Sequence, residues 1–253
     1  MIALRTPQEI AYLRQSGNVV AELLLEIKNR AKQGISTREL DSIAEAFLIQ
    51  RGARPAFKGY HGYPCTLCTS INDEVVHGIP SKRELREGDI LSVDAGAIVH
   101  DYYGDAAITI PIGKVSREAE QIIKITEEAL HRGIAKAQAG NFLSDISHAI
   151  QTHAEKHGFS LVRDFVGHGI GQQLHEDPQI PNYGAPGNGP RLKVGMVLAI
   201  EPMVNQGDWK VVIKKDKWTA VTADGKLSAH FEHTLAITEN GPEILTRLPV
   251  QPS

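Results

Sequence analysis

Four carboxylates and one imidazole stand where apolar sequence gives them no obvious neighbour: Asp94, Asp105, Glu201, Glu232 and His168. The first two come from GDILSVDAGAIVHDYYGDAAIT, residues 88–109. There Ile90, Leu91 and Val93 read as one buried strand and Ala106, Ala107, Ile108 and Ile110 as a second, with Asp101 and Gly104 supplying the turn. Asp94 and Asp105 are then expected at the ends of an apolar hairpin. A buried carboxylate needs a hydrogen-bond partner, a proton or a metal ion. Taken singly, either aspartate is equally a turn or strand-end residue. Together with Glu201 in MVLAIEPM, Glu232 in SAHFEHTLAI and His168 in FVGHGIG, they form an oxygen-rich set with one nitrogen. Manganese, iron or cobalt suits such ligands better than a closed structural zinc site does. Four carboxylates carry four negative charges, which two divalent cations cancel, and carboxylates bridge metals held about 3.5 to 4 Å apart. Without metal the same groups raise one another's pKa. The glycines around His168 are expected to let substrate approach the backbone. His77 in EVVHGIPS and His175 in QLHEDP read equally as surface or strand-end residues, and the roles of His230 and His233 stay open.

The elements that must position these groups alternate helix and strand signals. Thr6-Pro7-Gln8-Glu9 is a capping box with proline at the first helical position, followed by Ile10, Leu13, Gly17, Val20, Leu24 and Ile27 at helical spacing. Ser36-Thr37-Arg38-Glu39 opens a second helix with Leu40, Ile43, Ala44, Phe47 and Leu48 inward and Gly52 as its stop. Further helices are expected over about 116–136 and 143–156, with turns and strands alternating over 60–76. At an offset of 106 residues, Gly34 and Gly52 fall on Gly140 and Gly158; at 107, His61-Gly62 falls on His168-Gly169 and LREGDILSVD on LKVGMVLAIE. That last match lays Asp94 on Glu201. The pattern predicts two similar αβ halves, roughly residues 1–110 and 111–253, forming a single catalytic domain over 1–253 with a site where they meet. NYGAPGNGP, residues 182–190, reads as a surface loop.

Composition excludes several classes. With 253 residues, 42% hydrophobic and 23% charged, the chain resembles an ordinary globular protein, and a net charge of −3 disfavours nucleic acid as substrate. The first ten residues lack the basic and apolar regions of a signal peptide, and no apolar run approaches the roughly 18 residues of a membrane span. The expectation is a cytoplasmic protein with no membrane partner. Cys65 and Cys68 form a lone C-x-x-C without a second ligand pair, on a segment that looks extended; this argues against both zinc and redox chemistry.

Six ordered segments then carry a family resemblance: YHGYP (60–64), SINDEVVHGIP (70–80), VDAG with YYGD (93–96, 102–105), GHGIGQQLHEDPQIPNY (167–183), MVLAIEPM (196–203) and FEHT (231–234). The chain resembles type I methionine aminopeptidases from about Tyr60 to Thr234, with the amino-terminal helices also matching. The resemblance implies an α+β pita-bread fold, like that of creatinase, with two pseudo-symmetric halves around a central curved antiparallel sheet. It implies removal of initiator methionine from nascent proteins by a monomer, with the ribosome a candidate partner. It further implies two divalent ions, of cobalt, manganese, iron or zinc, held by Asp94, Asp105, His168, Glu201 and Glu232, with Asp105 and Glu232 touching both. His77 and His175 would contact substrate, His175 steadying the oxyanion, and Glu201 would carry the proton. Tyr60, Tyr63, Cys68, Leu174 and Trp218 would line the methionine pocket, and Asn72 with the Ser228 carbonyl would hold a monovalent cation. Only 33 residues separate His168 from Glu201 and 31 separate Glu201 from Glu232, which leaves no room for the long insertion of type II enzymes. Xaa-Pro peptidases of the same fold, and non-catalytic relatives that have lost ligands, are the rival readings.

Overall fold

The computed structural model describes residues 2–247; Met1 and residues 248–253, counted into the expected catalytic domain, lie outside it. Among the described residues four α-helices form, the first two where capping boxes place them and the other two over the ranges expected. Helix α1 (Pro7–Arg30) starts with Thr6 Oγ1 accepting from Glu9 N and the Glu9 carboxylate accepting from Thr6 N. Helix α2 (Thr37–Gln50) repeats the exchange between Ser36 and Glu39. Ser116 caps α3 (Arg117–Lys136), and Asp145 accepts from Phe142 N at the start of α4 (Leu143–Lys156). Such caps satisfy amide groups that the first helical turn leaves without partners.

The helices cover one face of a curved antiparallel sheet of nine strands, whose main path runs Arg54–Pro55, Ile90–Val99, Tyr102–Pro111, Glu232–Thr238, Val197–Ile200, Gly167–Gly169 and Glu176–Ile180. Leu67–Ile71 pairs with the 90–99 strand and Gly241–Ile244 with the 232–238 strand. Two three-stranded sheets complete the fold. Val20, Leu24, Ile27, Leu40 and Leu48 pack from α1 and α2 against Leu91 and Val93. Ile122, Ile146 and Ile150 pack from α3 and α4 against Leu198, Ile200 and Leu235. One architecture is laid down twice. Gly34 N donates to Leu85 O and Leu85 N to Ile35 O; Gly140 N donates to Leu192 O and Leu192 N to Asn141 O, at offsets of 106 and 107 residues. Gly34 and Gly140 both hold φ near +90°, a region that favours glycine.

Three local expectations fail. The central hairpin is longer than its apolar residues suggested, so Asp94 and Asp105 lie within ten-residue strands rather than at their ends. The turn is His100-Asp101, both at positive φ. Gly104 belongs to a strand, and it is glycine because a Cβ there would sit 2.7 Å from Gly17 N of α1. Finally, His61 lies exposed in a 3-10 turn and His168 buried in a strand, so that matched pair of the repeat has no structural counterpart.

Candidate metal centre

Strand register puts all five metal-ligand candidates on one face of the sheet. Asp94 and Glu232 flank Ala107 from its two sides, and Asp105 stands two residues along the same strand, opposite Gly96. His168 and Thr234 flank Ala199, and Glu201 follows two residues after Ala199. Directly paired residues share a face, as do residues two apart, so the set converges over two small alanines. One ligand atom each from Asp105, His168 and Glu232 lies within 4.8 Å of the others. His168 Nε2 is 3.5 Å from Glu201 Oε1 and 4.0 Å from Asp105 Oδ2, while Asp94 and Asp105 interact side chain to side chain. Thr234 braces the centre: its Oγ1 donates to Asp105 O at 2.8 Å and accepts from Asp105 N at 3.2 Å.

The electrostatics of this cluster call for cations. Asp94 Oδ1, Asp105 Oδ1 and Glu232 Oε1 are buried without hydrogen-bond partners. Burial pushes Asp94 up to about 7, with Glu201 adding to it, and Glu201 up to about 8. Asp105 and Glu232 rise well above the usual carboxylate range, first from burial and then from their acidic neighbours. His168 Nδ1 lies 2.9 Å from Gly169 O, which can only accept, so Nδ1 carries the proton and Nε2 turns a lone pair toward carboxylate oxygens. Burial holds this imidazole down to about 3, which keeps it neutral. This lone pair and several buried carboxylate oxygens set more acceptors around one point than the two O–H donors of a single water can satisfy, an arrangement that a divalent cation resolves.

The centre opens onto a cavity of about 370 Å³. Tyr60, Tyr63, Cys68, His77, Leu174, His175 and Trp218 all line it. Cys68 pairs in register with Asp94, which explains why it turns into the site while Cys65 sits outside the strand; both thiols are free. Tyr63 is fixed by its hydroxyl, 3.0 Å from Leu67 O and Gly78 O, and meets the Trp218 ring edge-on at 5.1 Å. His77 adopts φ of 59° and packs against Phe165, and burial lowers its pKa to about 4. His175 is exposed on one side; its Nδ1 meets Tyr60 Oη at 2.8 Å, and its ring lies 4.4 Å from that of His168. The glycines beside His168 are also required by the packing around them. A Cβ on Gly167 would lie 2.5 Å from Ala199 O, and one on Gly169 2.1 Å from Asp177 O.

Phe57, Asp164 and Phe165 line the cavity too and escaped the sequence reading, as did the part played by His230. His230 is buried, with Nε2 unpartnered and 3.5 Å from Glu201 Oε2. It closes the strand Ser228–His230 while Glu232 opens the next, so strand parity across Phe231 gave no guide. His233 faces the helices, where Nδ1 meets Thr246 Oγ1 at 2.9 Å. Asn72 and Ser228 are adjacent, Ser228 N donating to Asn72 O. The Asn72 amide accepts from Ile90 N and donates to Asp89.

A family model, Metallopeptidase family M24, matches residues 11–239. The chain belongs to metallopeptidase family M24. Within M24 it is 55% identical over 248 residues to methionine aminopeptidase 1 of Bacillus subtilis, covering 98% of this chain and 100% of that one. The crystal structure of methionine aminopeptidase from Thermotoga maritima superimposes with a TM-score of 0.96 at 48% identity, covering 98% of this chain and all of the other. Prolidase from Pyrococcus furiosus, at 24% identity and a TM-score of 0.77, covers 98% of this chain and 66% of its own, and shares the fold alone. The α+β pita-bread architecture expected from the sequence is the one this M24 chain adopts.

Proposed function

We propose that this chain removes the N-terminal methionine of nascent polypeptides, working as one catalytic domain whose halves, about residues 1–110 and 111–253, meet at the acidic centre. The observation that carries the proposal is the meeting of a buried acidic cluster with an apolar cavity lined by Tyr63, Cys68, Leu174 and Trp218. An unbranched thioether fits such a pocket, because sulfur packs well against aromatic edges and a thiol. Asp94, Asp105, His168, Glu201 and Glu232 would hold two divalent ions of cobalt, manganese, iron or zinc, Asp105 and Glu232 spanning the pair. When bound, such ions lower the pKa of water from about 15.7 toward about 7 and polarise a carbonyl.

The chain's own residues supply the remainder. Glu201 takes the proton of the attacking water and returns it to the leaving amine. Tyr60 Oη lies 2.8 Å from His175 Nδ1; in the tautomer this reaction uses, the hydroxyl donates to Nδ1 and leaves a proton on Nε2 for the carbonyl oxygen as negative charge develops there. His77, held neutral by burial, contacts the peptide backbone beside it. The free α-amino group of the substrate, in its uncharged form, would bind one of these ions, which is what would make the enzyme an exopeptidase. Such a substrate implies the cytoplasm and encounter at the ribosome, and we infer a monomer with neither nucleic-acid substrate nor membrane partner. Among the described residues no helix is long and apolar enough to cross a membrane. A monovalent cation beside Asn72 and Ser228 would stiffen the strand that leads to Glu232.

Peptides decide the matter. With manganese or cobalt added, Met-Ala-Ser should be cleaved after methionine and Ala-Pro left intact; cleavage of Ala-Pro, or of neither, overturns the proposal.

A further inference from the structure

A second cavity, of about 720 Å³, lies between α3 and α4, away from the acidic centre. Arg132, Lys136 and Lys156 reach into it together with the imidazoles of His148, His153 and His157. Two carboxylates also line it, and both are already engaged. Glu128 Oε2 lies 2.9 Å from His153 Nε2, and Asp145 accepts from the backbone amides of Phe142 and Gly187, each at 2.9 Å. Among the described residues none of the three cations makes an ion pair.

The matching place in the first half shows what this arrangement gives up. At the repeat offset of 106, Arg132 and Lys136 stand where α1 has Glu26 and Arg30, and His153 and His157 stand where α2 has Phe47 and Arg51. Glu26 and Arg30 form an ion pair of 2.8 Å, and Arg51 pairs with Glu22 while lying over the Phe47 ring. The first cleft is therefore closed by opposite charges. In the second, Glu128, the counterpart of Glu22, turns to His153, and like charges stand four residues apart on one helical face, where they repel and destabilise the helix. Three cations against two carboxylates leave the groove with an excess of one positive charge, in a chain whose net charge is −3. Guanidinium and ammonium groups gathered around a groove of ligand size recognise phosphate oxygens.

We propose that the α3–α4 groove binds a small polyphosphate anion, the triphosphate of a nucleotide or an inorganic triphosphate, through Arg132, Lys136 and Lys156. The test titrates the metal-loaded protein with inorganic triphosphate and, separately, with ATP, following heat release at low and high salt. One saturable site, weakened by salt, is expected. Equal affinity for the two probes assigns recognition to the phosphates alone, whereas tighter ATP binding adds the nucleoside. Either outcome supports the groove, provided that Arg132→Glu weakens binding by at least about tenfold. Arg132→Glu rebuilds the Glu–cation spacing of α1, so without anion its unfolding midpoint should equal or exceed the parent's and its peptide turnover should match. Absence of saturable binding, or equal binding by parent and variant, as capture at the metal centre would give, overturns the proposal.

Discussion

Glu232 and His233 are consecutive residues of one strand, both drawn out of water, and they are treated in opposite ways. Glu232 faces the cavity with the four other metal-ligand candidates and keeps a buried oxygen with no partner. His233 faces the helices and has a partner in Thr246 Oγ1 at 2.9 Å, with His131 as its nearest ring. Register alone separates them, because a step of one residue exchanges the faces of a sheet. On the helix side, this imidazole is satisfied, as burial of a polar group demands. On the cavity side, several orphans are collected around one point. Burial of a titratable group is thus weak evidence of chemistry, and burial without a partner, repeated on neighbouring strands, is strong evidence.

The largest effect should follow from removing a carboxylate from the cavity face. Asp105→Asn is expected to lower metal-dependent hydrolysis of Met-Ala-Ser by more than about a hundredfold, the range that even the outer partners of metal ligands reach. The metal-free variant should melt no lower than the parent, since Asn matches the shape of the protonated carboxyl that burial favours at this position. Near-normal turnover by the variant with a single ion bound would refute the two-ion account.

Next in size is a pH response that the two faces divide between them. In the metal-free protein Asp94 and Glu201 titrate near 7 and 8, against ordinary values of 3.8 and 4.5. Their folded pKa values are raised, so the stability they give is complete below the ordinary values and is lost as pH climbs through 7 to 8. His233 runs the other way: burial lowers it from 6.5 to about 4, so its contribution is present above 6.5 and lost as pH falls toward 4. Unfolding free energies measured in urea with a chelator should therefore fall by an amount of order a few kcal/mol as pH rises to about 8. Excess manganese should abolish the alkaline fall and leave the acid one. An alkaline limb that survives saturating metal would separate the carboxylates from any ion site.

Legibility in the sequence followed the distance between partners. Both capping boxes were readable because Thr6 with Glu9, and Ser36 with Glu39, lie three residues apart and carry their whole reason locally. The five charged or imidazole side chains were readable because each stands in, or in the case of Glu201 directly after, a strand whose other residues are mostly small or apolar. The glycines misled: Gly104 is shaped by Gly17, Gly167 by Ala199 and Gly169 by Asp177, and no local pattern announces a neighbour in another strand or helix. His230 stayed open for the same reason, its partner Glu201 being set by the break between two strands. Helix spacing revealed α3 and α4, but the like charges they bring together emerge only when the two halves are compared in space.

The smaller predictions sharpen the cavity side itself. His230→Ala should cost about 10- to 100-fold in kcat and in metal affinity, because Glu201 loses the imidazole 3.5 Å from its Oε2. His230→Gln, which keeps a donor of similar reach, should recover much of that loss; equal loss in both variants would mean that the site needs the ring's volume and not its nitrogen. Tyr60→Phe should cost least. It deletes only the hydroxyl 2.8 Å from His175 Nδ1 and leaves the ring edge 5.3 Å from the imidazole in place. Without that donor His175 can place its proton on Nδ1, and the fraction presenting Nε2–H to the substrate oxygen falls. A drop in kcat of about tenfold is expected, at the low end of what one positioned donor supplies, with KM and metal affinity unchanged. A rise in KM at constant kcat would instead make Tyr60 a wall of the methionine pocket and nothing more.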